Sequence, residues 1–349
     1  MSTLPPEPAG TETHQARQVA ESFGADAERY DRARPRYPDA LVERVVATSP
    51  GRDFLDVGTG TGIAARQFQA AGRDVLGIDP DERMAGLARQ AGVKVEVASF
   101  EDWDDAGRRF DAIIAGMAWH WVDPAAGAAK AARVLRPGGR VALFWYVLEP
   151  PSDVRESFRA VYQRVLSDSP FYRGALPTLE AYSAIFDKAE AGLAAVGAFG
   201  PPERWRFDWE RRYTRDQWLE QVPTFGGFSR IPASGQADLL AGLGEAVDSV
   251  GGSFVARYAT VVVTTTRRLP APGDRLGDGD VAGDELECLT SGTRRIQHCH
   301  QHGRDIGSGN RPAPDRIAAI AQQSLKQQRD PAVPASYHNT HGFTVPIRR

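Results

Sequence analysis

The feature that most constrains this chain is a glycine-rich segment that follows a short apolar run. Residues 53–62 read Asp-Phe-Leu-Asp-Val-Gly-Thr-Gly-Thr-Gly, and a pattern typical of an amphipathic helix follows over residues 63–71. Glycines at this point let the backbone turn tightly and approach a ligand closely, because no Cβ intervenes. The first turn of the helix adds free N–H groups that face the same crevice. The segment therefore predicts a strand–turn–helix unit that binds a ligand at the end of the strand.

Apolar runs and helical patterns alternate along the first half of the chain. Strands are predicted at 53–57, 74–78, 94–97, 112–115 and 140–145, and helices at 38–47, 63–71, 82–91 and 125–134. The sequence Pro137-Gly138-Gly139 predicts the turn that precedes the last of these strands. Strands that alternate with such helices form a parallel sheet covered on both faces.

This rhythm changes after Pro150 and Pro151. Helices are predicted at 152–166, 178–195 and 237–250, and strands at 204–214 and 254–266. Trp205, Phe207 and Trp209 should share one face of the first of these strands. We expect the two strands to return to the sheet as an antiparallel edge hairpin. The predicted fold is α/β: a Rossmann-like, seven-stranded, mostly parallel sheet with one antiparallel edge strand and helices on both faces.

Composition divides the chain into three parts. Residues 1–20 are polar and rich in proline, and they predict a flexible lead. Residues 21–267 form the predicted domain. From residue 268 to 349 the share of Leu, Ile, Val and Phe falls below the ~20% associated with disorder. Apart from one predicted helix at 314–328, this segment is predicted to be a disordered or non-native-like tail.

Charge and cysteine content exclude several classes of protein. The formal net charge of −3 gives no support to nucleic-acid binding. No apolar stretch approaches the roughly 20 residues that span a bilayer, and the N-terminus lacks the apolar region of a signal peptide. The two cysteines suit a reduced, intracellular protein. These features predict a cytoplasmic protein with no membrane partner.

Two acidic residues narrow the ligand of the glycine-rich turn. Asp56 precedes the first glycine by two positions, where its carboxylate would repel a pyrophosphate but accept hydrogen bonds from a cationic amino group. Asp79 ends the second strand, a place that suits a bidentate hydrogen bond to a ribose diol. The dinucleotide fingerprint also needs a glycine where Ile63 stands. The ligand implied has a ribose and a positive charge but no phosphates.

With these motifs the chain resembles the class I S-adenosylmethionine-dependent methyltransferases of the methyltransferase type 11 kind. The resemblance extends through residues 110–114 and 134–140. The sequence Ala118-Trp119-His120-Trp121 and the segment from Phe23 to Pro38 look like a trans-aconitate methyltransferase-like subgroup. The resemblance implies a methyltransferase domain over residues 21–267. Residues 21–149 would form the half that binds the cofactor, and residues 150–267 would supply the acceptor-side insertions and the final strands.

The resemblance also implies which residues bind S-adenosyl-L-methionine. Four residues would hold the methionine portion, namely Asp56, Gly58, Thr59 and Gly60. Asp79 would hold the ribose hydroxyls, and Met84, after Asp79-Pro80, would pack on the adenine. Phe100 and Glu101 would flank the adenine and its amino group. Ala115 and Gly116 would lie under the sulfonium. Ala98-Ser99 stands where the family often has a glycine, so the resemblance leaves the role of Ser99 open.

Several nearby residues admit a functional and a structural interpretation. His120 is a candidate base for the acceptor, or a structural histidine between Trp119 and Trp121. The two tryptophans would wall the acceptor pocket or cap the sheet edge. Tyr30, Arg34 and Tyr37 would form a lid over the cofactor or simply pack an N-terminal helix. The cluster His298, Cys299, His300 and His302 lacks the ligand spacing of a structural zinc site, so no metal is predicted.

The sequence thus favours an enzyme that transfers a methyl group from S-adenosylmethionine to an oxygen, carbon or nitrogen of a small molecule. A carboxylate or hydroxyl acceptor is favoured. One alternative is a catalytically silent S-adenosylmethionine-binding protein. A nicotinamide-dependent oxidoreductase is a further alternative, against which Asp56 and Ile63 both argue. The sequence does not identify the acceptor molecule, the accepting atom or the oligomeric state.

Overall fold

Seven strands form one mixed sheet in the part of the chain that the structure describes. The structure is a computed structural model, and it describes residues 21–166 and 178–269. The strands are β1 (Asp53–Val57), β2 (Asp74–Asp79), β3 (Lys94–Val97), β4 (Phe110–Gly116), β5 (Leu135–Glu149), β6 (Glu203–Thr214) and β7 (Ser253–Thr266). They lie in the order β3-β2-β1-β4-β5-β7-β6.

The central strands carry the core because both faces of the sheet are covered. Four consecutive residues of β4, from Ala112 to Ala115, have no exposed surface, and the same is true from Val141 to Trp145 in β5. Continuous burial of this kind is typical of parallel strands packed between helices. The five strands from β3 to β5 pair in parallel, with β1 between β2 and β4. This confirms the predicted Rossmann-like α/β fold.

The far end of the sheet is antiparallel, as predicted. β7 pairs antiparallel with both β5 and β6, so it is the strand that runs against all the others. β6 lies beyond it and forms the edge. Trp205 and Trp209 lie on the more buried face of β6, where Trp209 stacks on Tyr258 with ring centroids 4.1 Å apart.

Nine α-helices are present among the described residues. They are α1 (Ala27–Ala33), α2 (Asp39–Ala47), α3 (Ile63–Ala70), α4 (Glu82–Gln90), α5 (Pro124–Val134), α6 (Ser152–Leu166), α7 (Leu179–Ala195), α8 (Arg215–Gln221) and α9 (Ala233–Ser249). Short 3-10 segments occupy Glu21–Asp26, Trp119–Trp121, Val222–Thr224 and Phe228–Arg230. The sequence did not predict α8, which begins with a capping box formed by Thr214 and Gln217. None of the described helices is long and apolar enough to cross a membrane.

One predicted turn is wrong. The sequence Pro137-Gly138-Gly139 lies inside β5, which begins at Leu135 rather than at Arg140. The pairing with β4 shifts register here, from Phe110 opposite Leu135 to Ala112 opposite Arg140. Gly138 takes a left-handed φ of 79°, so these residues form a bulge that extends the strand instead of starting it.

The order of the strands fixes where a ligand binds. β1 has β2 on one side and β4 on the other, and the chain changes direction across the sheet between them. The crevice outside the carboxyl ends of β1 and β4 is therefore the topological switch point of an open α/β sheet. The predicted lead at 1–20, the helix at 314–328 and the histidine–cysteine cluster at 298–302 lie outside the described residues, as does the predicted tail beyond residue 269.

Candidate functional site

A cavity of about 320 Å³ opens at the carboxyl ends of β1, β2 and β4. Most of the residues predicted to contact the cofactor line it, and the full wall consists of Phe23, Tyr30, Val57, Gly58, Gly60, Ile78, Asp79, Pro80, Asp81, Met84, Ala98, Ser99, Phe100, Glu101, Gly116, Met117, Ala118, Trp121 and Val122. The switch point of the sheet and the predicted ligand site thus coincide.

The glycine-rich turn forms the floor of this cavity. The N–H groups of Gly58 and Thr59 both donate to the carbonyl of Ile78, which ties the turn to the end of β2. Gly58 has a φ of 68°, and a Cβ built on it would lie 2.4 Å from the Cβ of Ala118. Glycine is therefore required here on conformational and on steric grounds, and it leaves the backbone open to a ligand.

Asp56 lies buried beneath the turn, with 1% of its surface exposed. Its Oδ2 accepts a hydrogen bond of 2.8 Å from the hydroxyl of Thr59, and its Oδ1 has no partner among the described residues. Burial raises the pKa of Asp56 to about 7, although the hydrogen bond from Thr59 opposes the shift. Neither Asp56 nor Thr59 lines the cavity, although both were predicted to contact the cofactor. A buried carboxylate oxygen without a donor is nevertheless an acceptor for a cationic group that comes within reach.

Asp79 ends β2 and holds the turn from the other side. Its Oδ2 accepts from the N–H of Gly60 at 2.8 Å, and its Oδ1 accepts from the N–H of Asp81 at 2.9 Å. Burial raises the pKa of Asp79 to about 6, against these two hydrogen bonds. A carboxylate oxygen can accept more than one hydrogen bond, so Asp79 can still accept hydrogen bonds from the two hydroxyls of a ribose.

Met84, Phe100 and Glu101 form the wall of the cavity beyond Asp79. Phe100 contacts Trp119 with ring centroids 5.8 Å apart. The Oε1 of Glu101 accepts a hydrogen bond of 2.7 Å from the N–H of Asp123, which joins the loop after β3 to the start of α5. One oxygen of Glu101 is thus engaged inside the protein.

The residue that holds this loop was not identified from the sequence. Lys130 on α5 is 5% exposed, and its Nζ donates to the carbonyls of Glu101, at 3.0 Å, and Trp103. The ammonium group also lies 5.7 Å from the ring centroid of Phe100. Burial lowers the pKa of Lys130. A lysine in an alanine-rich helix gives no sequence signal for this role.

An aromatic cover closes one side of the cavity. The ring of Phe23 contacts Tyr30 at 6.0 Å and Trp121 at 6.4 Å. Burial raises the pKa of Tyr30 to about 12, so its hydroxyl stays protonated. Trp121 lines the cavity, whereas Trp119 is buried behind it. Two of the three predicted lid residues, Arg34 and Tyr37, are not part of this wall.

Arg34 and Tyr37 lie behind the cover and brace it. The guanidinium group of Arg34 donates to the hydroxyl of Tyr146 at 3.2 Å and to the carbonyl of Thr224, and it lies 4.9 Å from the ring centroid of Tyr30. The hydroxyl of Tyr37 lies 2.5 Å from the place where a Cβ on Gly116 would stand. The side chains of Tyr37 and Phe144 thus fill the space that a Cβ on Gly116 would need. Gly116 lines the cavity, while the preceding Ala115 is fully buried and does not.

The structure does not bring His120 to the cavity wall. Its Nδ1 accepts a hydrogen bond of 3.1 Å from the indole N–H of Trp145, so the neutral ring carries its proton on Nε2. That Nε2 is buried and has no partner among the described residues. Burial lowers the pKa of His120 to about 3. The ring is neutral at physiological pH.

Met117 was not identified from the sequence. It follows β4, lines the cavity and has a left-handed φ of 57°, which is uncommon for a residue with a long side chain. Its N–H donates to the carbonyl of Phe144 at 2.8 Å, and its sulfur accepts from the N–H of Tyr146 at 3.2 Å. Strained backbone of this kind is concentrated at functional sites.

Comparison with known proteins agrees with the geometry of the cavity. Residues 55–143 match the family model described as a methyltransferase domain. An uncharacterized methyltransferase of Mycobacterium tuberculosis is 36% identical over 131 residues, which are 37% of this chain and 54% of that protein. A malonyl-[acyl-carrier protein] O-methyltransferase of Enterobacter lignolyticus is 30% identical over 152 residues, which are 42% of this chain and 60% of that protein.

The chain spans about half the length of the curated relatives it matches. A solved structure from Anaeromyxobacter dehalogenans, assigned provisionally as a type II methyltransferase, superposes with a TM-score of 0.49 and 25% identity. That match covers 68% of this chain and 99% of the other. Residues 55–143, which hold the glycine-rich turn and most of the cavity wall, are thus the part of the chain that matches a methyltransferase domain.

Proposed function

We propose that this protein transfers the methyl group of S-adenosylmethionine to a carboxylate of a small molecule. The observation that carries the proposal is a cavity with the residues for this cofactor, in which the three carboxylates of the wall already have partners: Asp79 accepts from Gly60 and Asp81, Asp81 pairs with Arg83, and Glu101 accepts from Asp123. Among the described residues of its wall there is no histidine, lysine or cysteine. A carboxylate is the acceptor that needs no such group, because it is already ionised at neutral pH.

The residues of the floor fit the cofactor. The unpartnered Oδ1 of Asp56 would accept from the amino group of the methionine portion, and Asp79 would accept from the ribose hydroxyls. The missing Cβ of Gly58 leaves room for the ligand against the backbone. Met84 and Phe100 offer apolar surfaces for the adenine. S-adenosylmethionine, when bound, supplies an activated methyl group on a positively charged sulfur.

The protein itself would then accelerate the reaction by positioning the two reactants and by excluding water from the cavity. The aromatic cover of Phe23, Tyr30 and Trp121 shields the cavity from solvent, and the braced hydroxyl of Tyr37 stands next to Gly116. Holding two reactants in line accelerates a bimolecular reaction strongly without any acid or base. The high pKa of Tyr30 excludes its hydroxyl as a base at neutral pH.

The resemblance and one relative favour the same acceptor class. The segment from Phe23 to Pro38 and the Ala118–Trp121 motif resemble the trans-aconitate methyltransferase-like subgroup. A relative named malonyl-[acyl-carrier protein] O-methyltransferase agrees with transfer to oxygen. We propose a free small molecule as acceptor and no role for nucleic acid.

A panel of acceptors tests this function. The full-length protein is incubated with S-adenosylmethionine and, separately, with small di- and tricarboxylic acids, phenols, alcohols and amines. We expect release of S-adenosylhomocysteine only with a carboxylic acid, and a product mass that increases by one methyl group and reverts in mild alkali, as an ester does. Methylation of a phenol or amine instead would contradict the acceptor class. Cofactor binding without turnover on any acceptor would favour the silent binding protein.

Substituting His120 by asparagine is expected to leave the turnover number within about threefold of the wild type, because a pKa of about 3 makes the ring a weak base and the ring does not line the cavity. The turnover number should also stay constant between about pH 6.5 and 9, since no proton leaves a carboxylate acceptor. Initial rates at saturating S-adenosylmethionine measure both. A loss of 100-fold or more with unchanged cofactor affinity, or a rate that rises tenfold per pH unit, would instead make His120 the base, as general bases contribute about 10²–10⁴-fold.

A further inference from the structure

A second cavity, of about 650 Å³, lies on the outer side of the segment that joins α1 to α2. Four parts of the chain line it: α1, the α1–α2 connection, α3 and the edge strand β6. Five arginines and one acidic residue stand in its wall, namely Arg32, Arg34, Arg36, Arg66, Arg211 and Asp31. We call it the arginine cavity. None of these six residues lines the cavity at the ends of β1 and β4.

Carboxylates of the described residues neutralise only two of the five arginines. Arg66 pairs with Asp31 at 2.7 Å, and Arg32 pairs with Glu220 at 3.1 Å. Arg211 donates to the carbonyl of Ala33 at 3.3 Å, and Arg34 donates its two hydrogen bonds to a hydroxyl and a carbonyl.

Arg36 is exposed and has no hydrogen bond or ion pair among the described residues. Arg36 and Arg211 thus line the cavity without a carboxylate partner, and the buried Arg34, which also lacks one, lies in the same wall.

Several of these side chains are held in place before any ligand arrives. Arg66 also donates to the carbonyl of Thr61 at 2.6 Å, and the guanidinium of Arg211 lies 4.7 Å from the ring centroid of Tyr213. Arg34 is 4% exposed, and its Nε has no partner among the described residues. Arginines fixed in this way lose little conformational entropy when they bind an anion, and their planar groups match phosphate and carboxylate oxygens.

Like charges gathered in one cavity repel each other, so the arrangement costs stability unless an anion neutralises it. We propose that the arginine cavity binds a small anion that carries several negative charges, as phosphate or carboxylate groups. The ligand is distinct from the cofactor, because Tyr30 faces one cavity while Asp31, Arg32 and Arg34 face the other. The proposal does not depend on the methyl-transfer reaction.

Calorimetric titration at low ionic strength tests the site, with inorganic pyrophosphate in one arm and citrate in the other. We expect saturable one-to-one binding of at least one of them, and the tighter arm identifies phosphate or carboxylate as the recognised group. Substituting Arg36 or Arg211 by alanine should weaken binding about tenfold each, as the loss of a hydrogen bond to a charged group does. The affinity should also fall steeply as salt is added.

The control is Arg52→Ala, which removes an exposed arginine that pairs with Asp74 at 3.7 Å, outside the arginine cavity. This variant should bind as the wild type does. Arg36 is exposed and has no hydrogen bond or ion pair among the described residues, so Arg36→Ala is expected to keep the thermal stability of the wild type. No binding of either anion, or equal weakening in Arg52→Ala, would overturn the proposal. So would competition by S-adenosylhomocysteine, because that would place the anion in the cofactor cavity.

Discussion

Replacing Asp79 by alanine is expected to weaken the binding of S-adenosylhomocysteine by at least about 100-fold. The carboxylate would lose two charge-assisted hydrogen bonds to the ribose, which together contribute about 3 kcal/mol or more, and each 1.4 kcal/mol is a tenfold change in affinity. The same substitution removes the acceptor for the N–H groups of Gly60 and Asp81, so the glycine-rich turn also loses its anchor.

Two companion variants separate these effects. Asp79→Asn keeps one oxygen acceptor and should bind more tightly than Asp79→Ala but more weakly than the wild type. Asp74→Ala, at the exposed start of the same strand, should bind as the wild type does. Calorimetry measures all three affinities, and circular dichroism confirms that each variant is folded. An Asp79→Ala protein with wild-type affinity would show that the ribose does not bind at the end of β2.

Substituting Asp56 by asparagine is expected to stabilise the protein and to weaken binding of the cofactor. The pKa of Asp56 is about 7 in the folded protein and about 3.9 in an unfolded chain, so burial of the charge costs stability at neutral pH. Removing that charge should raise the free energy of unfolding by about 2–4 kcal/mol above pH 7. The same change removes the negative acceptor for the cationic end of the ligand, so affinity should fall at least about tenfold.

The sign of the pH dependence follows from the raised pKa. Between about pH 4 and 7 the folded state binds more protons at Asp56 than the unfolded state does, so wild-type stability falls as the pH rises through this range. The gain in the free energy of unfolding from Asp56→Asn should therefore reach its maximum above pH 7 and vanish near pH 4. The affinity of the wild type for S-adenosylhomocysteine should instead rise as the pH rises through this range. Protonation of Asp56 and Asp79 in the free protein at lower pH removes the charges that bind the ligand.

Denaturant unfolding at pH 5, 7 and 8.5 measures the stability difference, with Asp74→Asn as the control for an exposed aspartate on a neighbouring strand. That control should stay within about 0.5 kcal/mol of the wild type at each pH. If Asp56→Asn is instead less stable than the wild type at pH 8.5, the buried carboxylate has a donor that the described residues do not provide.

The parts of this structure that the sequence predicted depend on local patterns. The glycine-rich turn, Asp56 and Asp79 lie within thirty residues, and their geometry follows from the alternation of strand and helix. The positions of β1 and β3 were predicted to the residue. The bulge at Pro137–Gly139 escaped prediction because the extension of β5 depends on its pairing with β4 and β7.

The features that the sequence did not reveal depend on distant residues. The orientation of His120 is set by Trp145, on another strand, and the role of Lys130 by the loop after β3. The left-handed backbone of Met117 gave no sequence signal, because this conformation is uncommon for residues other than glycine. The arginine cavity draws on four separate parts of an arginine-rich chain, so no single spacing could indicate it.

The central claim is that the cavity at the ends of β1, β2 and β4 binds S-adenosylmethionine. Calorimetric titration of S-adenosylhomocysteine into the full-length wild type tests it most directly, with NAD⁺ titrated in parallel under the same conditions. We predict saturable one-to-one binding of S-adenosylhomocysteine and none of NAD⁺. A folded protein that binds NAD⁺, or that binds neither compound, would contradict the account.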